Sequence, residues 1–329
     1  MCIYIYTMKF LILETKNPHI NLATEEYLFL NADDDVFMLW QNEPTVVIGK
    51  NQNAYAELNM EYIKNNNIHI ARRITGGGAV YHDLGNINYT FISSKNSQKG
   101  IDFEYFTKPI LDALSELGLE ASLSGRNDIL IDGRKISGNA QFTNQNTVLH
   151  HGTLLFDSDL SVLSQALKVD EEKIKSKAIK SVRSRVTNIK NYLGDYSVSD
   201  FINLIKNFII KKFSPDIITP PKNDKIKPFL DKYESVDWIF PNRSYVSSYQ
   251  VSRKMRYTFG IVDINLEMCN DVIKSIKIYG DFFGSRDIAE LESMLIEKSI
   301  DELKNDIKSI PVSEFIYGMN SEQLFEQIK

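Results

Sequence analysis

Cysteine is almost missing from this chain, which has 329 residues but only Cys2 and Cys269. The two cysteines lie far apart and outside every motif described below, so the sequence predicts neither a disulfide framework nor a zinc site. Such low cysteine usage is typical of proteins from a reducing compartment. We therefore expect a cytoplasmic protein.

Long apolar runs and excess positive charge are also missing. No segment approaches the roughly 18 apolar residues that a membrane span requires, and the start of the chain is a poor match to a signal peptide. The formal net charge is −5 and the pI is about 5.7, which argues against general nucleic-acid binding. We expect neither a membrane nor a nucleic acid as a partner.

The spacing of apolar and turn residues predicts an α+β fold. Asn21 is placed to cap a helix that runs to about Asn31, and apolar residues at three- and four-residue steps predict a helix over 102–117 that ends at Gly118. Asp132-Gly133 is a strong signal for a two-residue hairpin turn. Because hairpins and helices are mixed rather than alternating as βα units, the class is α+β.

A change of pattern near residue 247 predicts a second domain. Residues 213–227 are rich in proline, lysine and aspartate and are expected to form a surface connection. Alternating strands and then helices follow from about residue 247. The expected organisation is a larger domain over 1–246 and a small α+β domain over 247–329.

Three consecutive glycines stand in "ARRITGGGAVYHD", residues 71–83. Glycine weakens a strand, so three together need a reason in the backbone. They could form a tight turn or bulge, or a loop whose N–H groups approach an anion. The pattern is neither a P-loop nor a dinucleotide fingerprint. Arg72 and Arg73 favour the anion, because arginine contacts phosphate and carboxylate bidentately.

The predicted hairpin places Lys135 two residues into its returning strand. Alternation is expected to put Lys135, Ser137 and Asn139 on one face and Ile136 on the other. A lysine on an edge strand often serves only to prevent edge-to-edge pairing. The small and polar residues around this one favour a pocket instead.

Polar side chains near this lysine are candidates for a metal site. Asp128 could hold Mg²⁺, which takes only one or two protein carboxylates and keeps several waters.

Two further segments carry candidate residues. In "HHGTLLF", His150 and His151 must point to opposite faces of a strand, so at most one of them faces a given site. The basic run over 171–190 could be a solvated surface segment. Its arginines Arg183 and Arg185 also suit a lid that orders over an anion.

Taken together, these segments resemble lipoate–protein ligases. "ARRITGGGAVYHDLGN", "SGRNDILIDGRKISG", "HHGTLLF" and "KSVRSRVTN" occur in that family's order and at its spacing. "NLATEEYL", "TVVIGKNQN" and "KIYGDFFG" are also similar to the family, so the resemblance covers nearly the whole chain. Four motifs in register make a specific signal.

The resemblance implies a fold and an activity. The fold would be the one shared with biotin ligases and class II synthetase-like domains, a mixed sheet with packed helices, with a family accessory domain at about 247–329. The enzyme would activate lipoate with ATP and Mg²⁺, giving lipoyl-AMP and pyrophosphate. It would then transfer the lipoyl group to a lysine on the lipoyl domain of a 2-oxoacid dehydrogenase E2 subunit or on glycine cleavage H protein.

The resemblance also implies roles for individual residues. Lys135 would be catalytic, touching both the lipoate carboxylate and the α-phosphate. The residues expected to hold ATP or the adenylate are Arg73, Gly78, Ala79, Val80, Tyr81, Lys135, Arg183 and Arg185. Those expected to contact lipoate are Arg72, Gly77, His82, Lys135 and His151, with Leu22, Trp40 and Val47 as further lining of the apolar tail. Asn127 and Asp128 are the expected Mg²⁺ ligands.

Other classes of protein would fit part of this pattern. Octanoyl- and lipoyl-transferases share the fold but use a cysteine nucleophile, and neither cysteine here lies in a core motif. A non-catalytic lipoate-binding protein would not need Lys135, Arg73 and Asp128 together. A biotin ligase has a different arginine- and glycine-rich loop.

Overall fold

The structure is a computed structural model that describes residues 8–94, 101–144, 147–168, 186–241 and 249–329. Its internal contacts divide the chain into two compact units. The larger unit comprises residues up to 47, 56–71 and 80–235, and the second comprises 48–55, 72–79 and 236–329. The domain boundary expected at 246/247 stays a prediction.

The strands of the described ranges group into three sheets. In chain order they are β1 (Met8–Ile12), β2 (Asp35–Trp40), β3 (Thr45–Ile48), β4 (His69–Arg72), β5 (Val80–His82), β6 (Asn86–Ser93), β7 (Ala121–Ser124), β8 (Asp128–Ile131), β9 (Arg134–Thr143), β10 (Val148–Leu155), β11 (Asp216–Ile217), β12 (Val251–Tyr257), β13 (Gly260–Cys269) and β14 (Val272–Gly280). The largest sheet has the order β11-β1-β2-β6-β10-β9-β8-β7, and the two small sheets have the orders β4-β3-β5 and β12-β13-β14.

Helices separate and cover these strands. They are α1 (Pro18–Asn31), α2 (Ala54–Glu57), α3 (Met60–Asn65), α4 (Phe103–Glu116), α5 (Val162–Ala166), α6 (Lys190–Leu193), α7 (Val198–Phe213), α8 (Asn223–Glu234), α9 (Val236–Ile239), α10 (Ile288–Leu295), α11 (Ile300–Asp306), α12 (Val312–Phe315) and α13 (Ser321–Ile328). None of the helices in the described ranges combines the length and apolar character that a bilayer span demands.

The eight-stranded sheet is mixed, as the α+β prediction requires. β1 pairs in parallel with β2 and β11, whereas β2–β6, β6–β10, β10–β9, β9–β8 and β8–β7 are antiparallel. The fold class predicted from the sequence is confirmed.

One face of this sheet packs against α4 and α7 to make the main core. Phe106, Ile110 and Leu114 of α4 and Phe201 and Ile205 of α7 are buried in the same apolar cluster. Burial of each such side chain stabilises the fold by about 1.5–3 kcal/mol. The opposite face carries α1, whose Phe29 ring lies 5.7 Å from that of Phe142 on β9.

Helix α1 begins earlier than the sequence predicts. The N-cap is Asn17, whose Oδ1 accepts from the N–H groups of His19 and Ile20 at 2.9 and 3.1 Å, and Pro18 occupies the first turn, where its missing N–H costs nothing. The predicted cap, Asn21, instead lies buried within the helix and donates to the main-chain oxygen of Gln41 at 2.8 Å. The capping prediction was wrong because an equally good cap precedes the proline.

Two other expectations for the larger unit can be compared with the structure. The predicted helix over 102–117 is confirmed as α4, and Gly118 follows with a φ of +78°. The predicted surface connection over 213–227 is only partly correct, because β11 lies in it and α8 begins at Asn223.

The second unit contains the predicted strand-then-helix segment. β12, β13 and β14 form an antiparallel sheet, and α10 to α13 follow. Val262, Ile264 and Leu266 of β13 are buried with Leu291 and Leu295 of α10 in a separate apolar core. The separate core explains why the strand and helix patterns of this segment can be recognised on their own.

His150 is a neutral core histidine. Its ring is fully buried and stacks on Phe106 at 5.4 Å between ring centroids. Burial, together with the neighbouring His151, lowers the pKa of His150 from 6.5 to about 3. The expectation that the two adjacent histidines occupy opposite faces is confirmed.

Acid is expected to destabilise the protein through His150. An unfolded-state histidine takes up a proton near pH 6.5 and the folded one does so only near pH 3, so stability is lost as pH falls through this window. By pH 5 the loss is about 2 kcal/mol. In urea unfolding at pH 7 and pH 5, His150→Phe should reduce the pH dependence by that amount. Substitution of the exposed His69 by Gln serves as the control, and an unchanged pH dependence in His150→Phe would contradict the assignment.

Candidate functional site

Lys135 lies at the start of β9, in the hairpin that β8 and β9 form. Asp132 and Gly133 have φ values of +51° and +71°, which confirms the predicted two-residue turn. Nζ of Lys135 lies 2.7 Å from Oδ1 of Asp128, and the two side chains are 33% and 36% exposed. A carboxylate on the neighbouring strand thus holds the lysine charge where a ligand can reach it.

A β-bulge decides which face of the sheet Lys135 occupies. The pairing with β8 skips Ile136, which is the extra residue on β9. Nζ of Lys135 lies 3.0 Å from where a Cβ on Gly138 would stand, whereas Asn139 contacts Ser137 at 3.3 Å. The prediction that Lys135 shares a face with Ser137 and Asn139 was wrong, because simple alternation does not allow for the extra residue.

Asn127 and Asp128, the expected Mg²⁺ ligands, are adjacent on this hairpin. The side-chain nitrogen of Asn127 donates to the main-chain oxygen of Asn139, and the main-chain oxygen of Asn127 accepts from Asn139 N at 2.9 Å. The role of Asn127 and Asp128 as Mg²⁺ ligands stays a prediction. Within the described ranges, no cluster of three or more His, Cys, Asp or Glu side chains could hold a metal.

A buried chain of hydrogen bonds lies on the same face of the large sheet as Lys135. Thr90 Oγ1 donates to Glu25 Oε1 at 2.7 Å, and Trp40 Nε1 donates to Thr90 Oγ1 at 2.9 Å. Nδ1 of His151 lies 2.9 and 3.1 Å from the two carboxylate oxygens of Glu25. All four side chains are buried, so the network fixes the orientations of the indole and the imidazole.

Strand register shows that Lys135 and His151 share this face. His151 is directly opposite Ala140 on β9 and Thr90 on β6. Ala140 is two residues from Gly138 and points to the same side, which is the side that the lysine amine occupies. The structure therefore places two of the predicted lipoate contacts on one face of the sheet.

His82 ends β5 and is buried beside Trp40. Its Nδ1 lies 3.1 Å from Nδ2 of Asn42, and the two rings meet edge to face with centroids 6.0 Å apart. Leu22 and Val47, also expected to line the lipoate tail, are buried. The imidazole of His82 is thus held by an amide and an indole, and its expected contact with lipoate stays a prediction.

The three glycines belong to the second unit, and two of them have an internal explanation. A Cβ on Gly76 would overlap the carbonyl oxygen of Phe282, and a Cβ on Gly49 would overlap the carbonyl oxygen of Gly77. Gly77 has a φ of +92°, which disfavours any side chain. Only Gly78 has open space around its missing Cβ, the nearest atom being 4.0 Å away. Close approach of the unit's own backbone therefore accounts for Gly76, and the positive φ accounts for Gly77.

Arg72 is buried and holds main chain together. Its guanidinium donates to the carbonyl oxygens of Gly49, Lys50 and Gln52 at 2.8–2.9 Å and twice to that of Ile239. Burial lowers the pKa of Arg72 to about 10, so the group stays charged at neutral pH. These contacts give Arg72 a structural role, and its expected contact with lipoate stays a prediction.

Arg73 is buried within the glycine segment itself. Nε donates to Thr75 Oγ1 at 2.9 Å, and a terminal nitrogen donates to the carbonyl oxygens of Gly76 and Gly78 at 2.8 Å. The glycine segment therefore surrounds the positive charge of the Arg73 guanidinium, which lies directly beside Gly78.

The segment expected to hold the adenylate continues into β5. β5 pairs with β3, with Val80 opposite Val47 and Tyr81 opposite Val46. Burial, with the nearby Asp83 carboxylate, raises the pKa of Tyr81 to about 12, so its phenol is neutral. The roles of Gly78, Ala79, Val80 and Tyr81 in nucleotide binding stay predictions.

The predicted lid arginines, Arg183 and Arg185, lie outside the described residues. The chain that follows them is placed beside Lys135, because Thr187 N donates to the main-chain oxygen of Lys135 at 2.9 Å. Val186 also forms an isolated parallel bridge with Lys135. One end of the expected lid is thereby anchored at the candidate site.

Sequence reasoning missed Glu25, the centre of the buried network. A signal was present, since Glu25 follows Leu22 by three residues on the inward stripe of α1. A carboxylate at such a position is rarely buried unless it is paired. Its partners lie on β6 and β10, more than 60 residues away in the chain, so the pairing could not be read from local pattern.

Family comparisons match nearly the whole chain. Residues 17–210 match the lipoyl protein ligase A/B catalytic domain, and residues 247–328 match the bacterial lipoate protein ligase C-terminus. Two curated relatives are similar over most of their length. Lipoate-protein ligase LplJ of Bacillus subtilis is 38% identical over 95% of this chain and 94% of its own. Lipoate–protein ligase 1 of Staphylococcus aureus is 41% identical over 85% and 86%.

Solved structures are similar as well. P. falciparum LipL1 in complex with lipoate has a TM-score of 0.78 at 25% identity and covers 98% of both chains. A lipoate-protein ligase A bound with ATP has a TM-score of 0.60 at 28% identity, covering 70% of this chain and 98% of its own. A bipartite Thermoplasma acidophilum ligase, solved in a study that includes its E2 lipoyl domain, has a TM-score of 0.63 at 29% identity over 75% and 100%.

Proposed function

The chain belongs to the lipoate–protein ligase family, and from that premise we propose how it acts. It activates lipoate with ATP to lipoyl-AMP, and then transfers the lipoyl group to a lysine amine of a carrier protein. The ATP-bound and lipoate-bound relatives support both substrates.

The observation that carries this proposal is the position of the Lys135 amine. It is ion-paired at 2.7 Å, partly exposed, and lies over Gly138, where no side chain blocks its approach to a ligand. A primary amine so placed can contact two anionic groups at once, because it has three rotatable donors. Those groups are the lipoate carboxylate and the α-phosphate.

The first half-reaction joins two anions, so fixed positive charge lowers its barrier. A carboxylate oxygen attacks the α-phosphorus, the new P–O bond forms, and the bond to the β-phosphate oxygen breaks with its electron pair leaving on pyrophosphate. We assign Lys135 and Arg73 to offset the charge on the reacting oxygens. The main chain of Gly78, Ala79, Val80 and Tyr81 is assigned to the nucleotide.

In the second half-reaction a carrier lysine, as the free amine, attacks the acyl carbon of lipoyl-AMP. The C–N bond forms, AMP leaves with the electron pair of the C–O bond, and the amine loses one proton to solvent. Lys135 stabilises the carbonyl oxygen as negative charge develops there. Because the carrier supplies the nucleophile, the enzyme needs no covalent intermediate.

The Asn127–Asp128 pair fits Mg²⁺. Oδ1 of Asp128 contacts Lys135, which leaves Oδ2 for a cation, and the side-chain oxygen of Asn127 adds a neutral ligand. Mg²⁺ commonly combines one or two such protein oxygens with waters and phosphates. When bound it would neutralise phosphate charge.

The lipoate tail is assigned to the face that carries the buried network. His151, His82 and Trp40 provide large, mostly apolar surfaces, and Glu25 and Thr90 hold two of them in place. Side chains held in this way bind with little loss of conformational entropy.

The proposed acceptors are lipoyl domains of 2-oxoacid dehydrogenase E2 subunits and glycine cleavage H protein. The archaeal relative that was studied with an E2 lipoyl domain supports the first of these. The proposed setting is the cytoplasm, since a chain with only two cysteines suits a reducing compartment.

A transferase that uses a cysteine nucleophile is the alternative. Cys269 is exposed at the end of β13 in the second unit, and Cys2 lies outside the described residues. Neither cysteine belongs to a core motif, which favours the ligase.

The deciding experiment measures pyrophosphate release with lipoate, ATP and Mg²⁺ in the absence of a carrier. Release that depends on lipoate supports adenylate formation. Absence of release, together with acyl transfer from lipoylated carrier without ATP, would overturn the proposal in favour of the transferase.

A further inference from the structure

We propose that Asn88 selects lipoate over octanoate by donating from its side-chain amide to a sulfur of the dithiolane ring. This inference rests on the proposed function, because it takes the acyl chain to lie on the sheet face that carries Lys135. No sequence motif singles out Asn88; its hydrogen bonds and its register do.

Only one of the two polar atoms of the Asn88 side-chain amide forms a hydrogen bond within the described residues. The side chain is only 2% exposed. Its Oδ1 accepts from Nδ2 of Asn86 at 3.0 Å, whereas its own Nδ2 is buried and has no partner within the described residues. Buried amides are almost always paired, so an unused donor on a binding face points to an acceptor supplied by the ligand.

Strand register places Asn88 at a defined distance from the reacting end. Asp128 is opposite Gly138, Gly138 N donates to Thr153 Oγ1 at 3.1 Å, and Thr153 is opposite Asn88. Trp40 is the next residue in this row. Asn88 is thus two strands from Gly138, about 10 Å.

This distance is about the length of an extended eight-carbon acyl chain. If the lipoate carboxylate lies at the Lys135 amine over Gly138, a chain that crosses the strands brings its far end to Asn88 and Trp40. The exposed fraction of the side chains falls along the same path. Lys135 is one third exposed, whereas Asn88 and Trp40 are buried. The far end of the substrate therefore meets the unused donor in a dry environment.

Lipoate and octanoate differ only at that far end. The dithiolane sulfurs have lone pairs and accept weak hydrogen bonds, whereas the end of octanoate carries only C–H groups. With octanoate bound, the amide of Asn88 would stay unpaired against hydrocarbon. A site with a buried polar group discriminates against the analogue that cannot satisfy it.

The test measures dissociation constants for lipoate and octanoate by calorimetry, without ATP. Wild type should bind lipoate more tightly than octanoate. Asn88→Leu, which keeps the size and removes the amide, should lower that preference by about three- to tenfold, the effect of one weak hydrogen bond. Most of the change should come from weaker lipoate binding, with octanoate unchanged or tighter.

Thr143→Val is the matched control, because Thr143 also has a buried polar atom with no partner in the part of the chain that the structure describes but belongs to the opposite face of β9. Its preference should equal that of wild type. If Asn88→Leu proves misfolded in thermal melts, Asn88→Ala answers the same question. A ratio of the two constants that is unchanged by loss of the amide overturns the inference.

Failure of this inference can be told apart from failure of the proposed function. An unchanged preference with normal lipoate-dependent pyrophosphate release refutes only the role of Asn88. Absence of pyrophosphate release together with acyl transfer that needs no ATP refutes adenylate formation, and the binding ratio still decides whether Asn88 recognises the ring.

Discussion

Replacing Lys135 by alanine is expected to lower lipoate-dependent pyrophosphate release by at least about 10²-fold, the usual effect of losing one group that stabilises transition-state charge. The amine is the cation that the β8–β9 hairpin presents beside Gly138. Its loss leaves the repulsion between carboxylate and phosphate less well offset. The fold should survive, because Asp128 is 36% exposed and can be hydrated when its partner is gone.

The measurement compares pyrophosphate release and thermal unfolding in the same preparations. Lys190→Ala is the matched control, since Lys190 also forms an ion pair with an aspartate, Asp157, at 2.6 Å on the surface of the larger unit. Both variants should melt close to wild type, and only Lys135→Ala should lose activity. Activity within a few fold of wild type in Lys135→Ala would remove this residue from the mechanism.

The hairpin of Lys135 illustrates what local sequence can and cannot predict. The turn was predictable because Asp132 and Gly133 both adopt positive φ, which few residue pairs tolerate. The bulge at Ile136 was not, because it depends on how β9 aligns with β8 across the turn. The turn was therefore predicted correctly, whereas the face of the sheet that Lys135 occupies was predicted wrongly.

The triglycine segment shows the same limit, because its sequence indicates a close backbone contact without identifying the contacting residue. The sequence indicated that the backbone must approach something closely, and the structure supports that inference. For Gly76 the partner is Phe282, about 200 residues further along the chain, rather than a ligand. A contact between segments so far apart leaves no local signature, so only Gly78 keeps the open space that an anion would need.

Long-range polar pairing explains why the buried network escaped prediction. Glu25 was visible as a carboxylate on the inward side of α1, but its partners Thr90 and His151 come from β6 and β10. The fold class, by contrast, depends on the order of short hairpins and helices. That order follows from the pattern of neighbouring residues, so the fold class was predicted correctly from the sequence.

Substitution of Arg72 is expected to have the second large effect. The family resemblance and the structure assign different roles to this residue. Lipoate binding was expected of it, whereas the structure places its guanidinium in five hydrogen bonds to main-chain oxygens of residues 49, 50, 52 and 239. Arg72→Met keeps the length of the side chain and removes every donor. We expect the second unit to lose at least about 3 kcal/mol of stability, because buried carbonyls would be left without partners.

Urea unfolding and segment-resolved hydrogen exchange measure this loss, and lipoate titration under fully native conditions measures affinity. Arg286→Met is the matched control, since Arg286 lies in the same unit but is 35% exposed in surface ion pairs with Glu290 and Glu314; its stability should change by less than about 1 kcal/mol. If Arg72 is structural, Arg72→Met weakens the unit while the folded protein binds lipoate as wild type does. Normal stability with weakened lipoate binding would instead make Arg72 a ligand contact, and the carbonyl cage around it would then have to open before lipoate could bind.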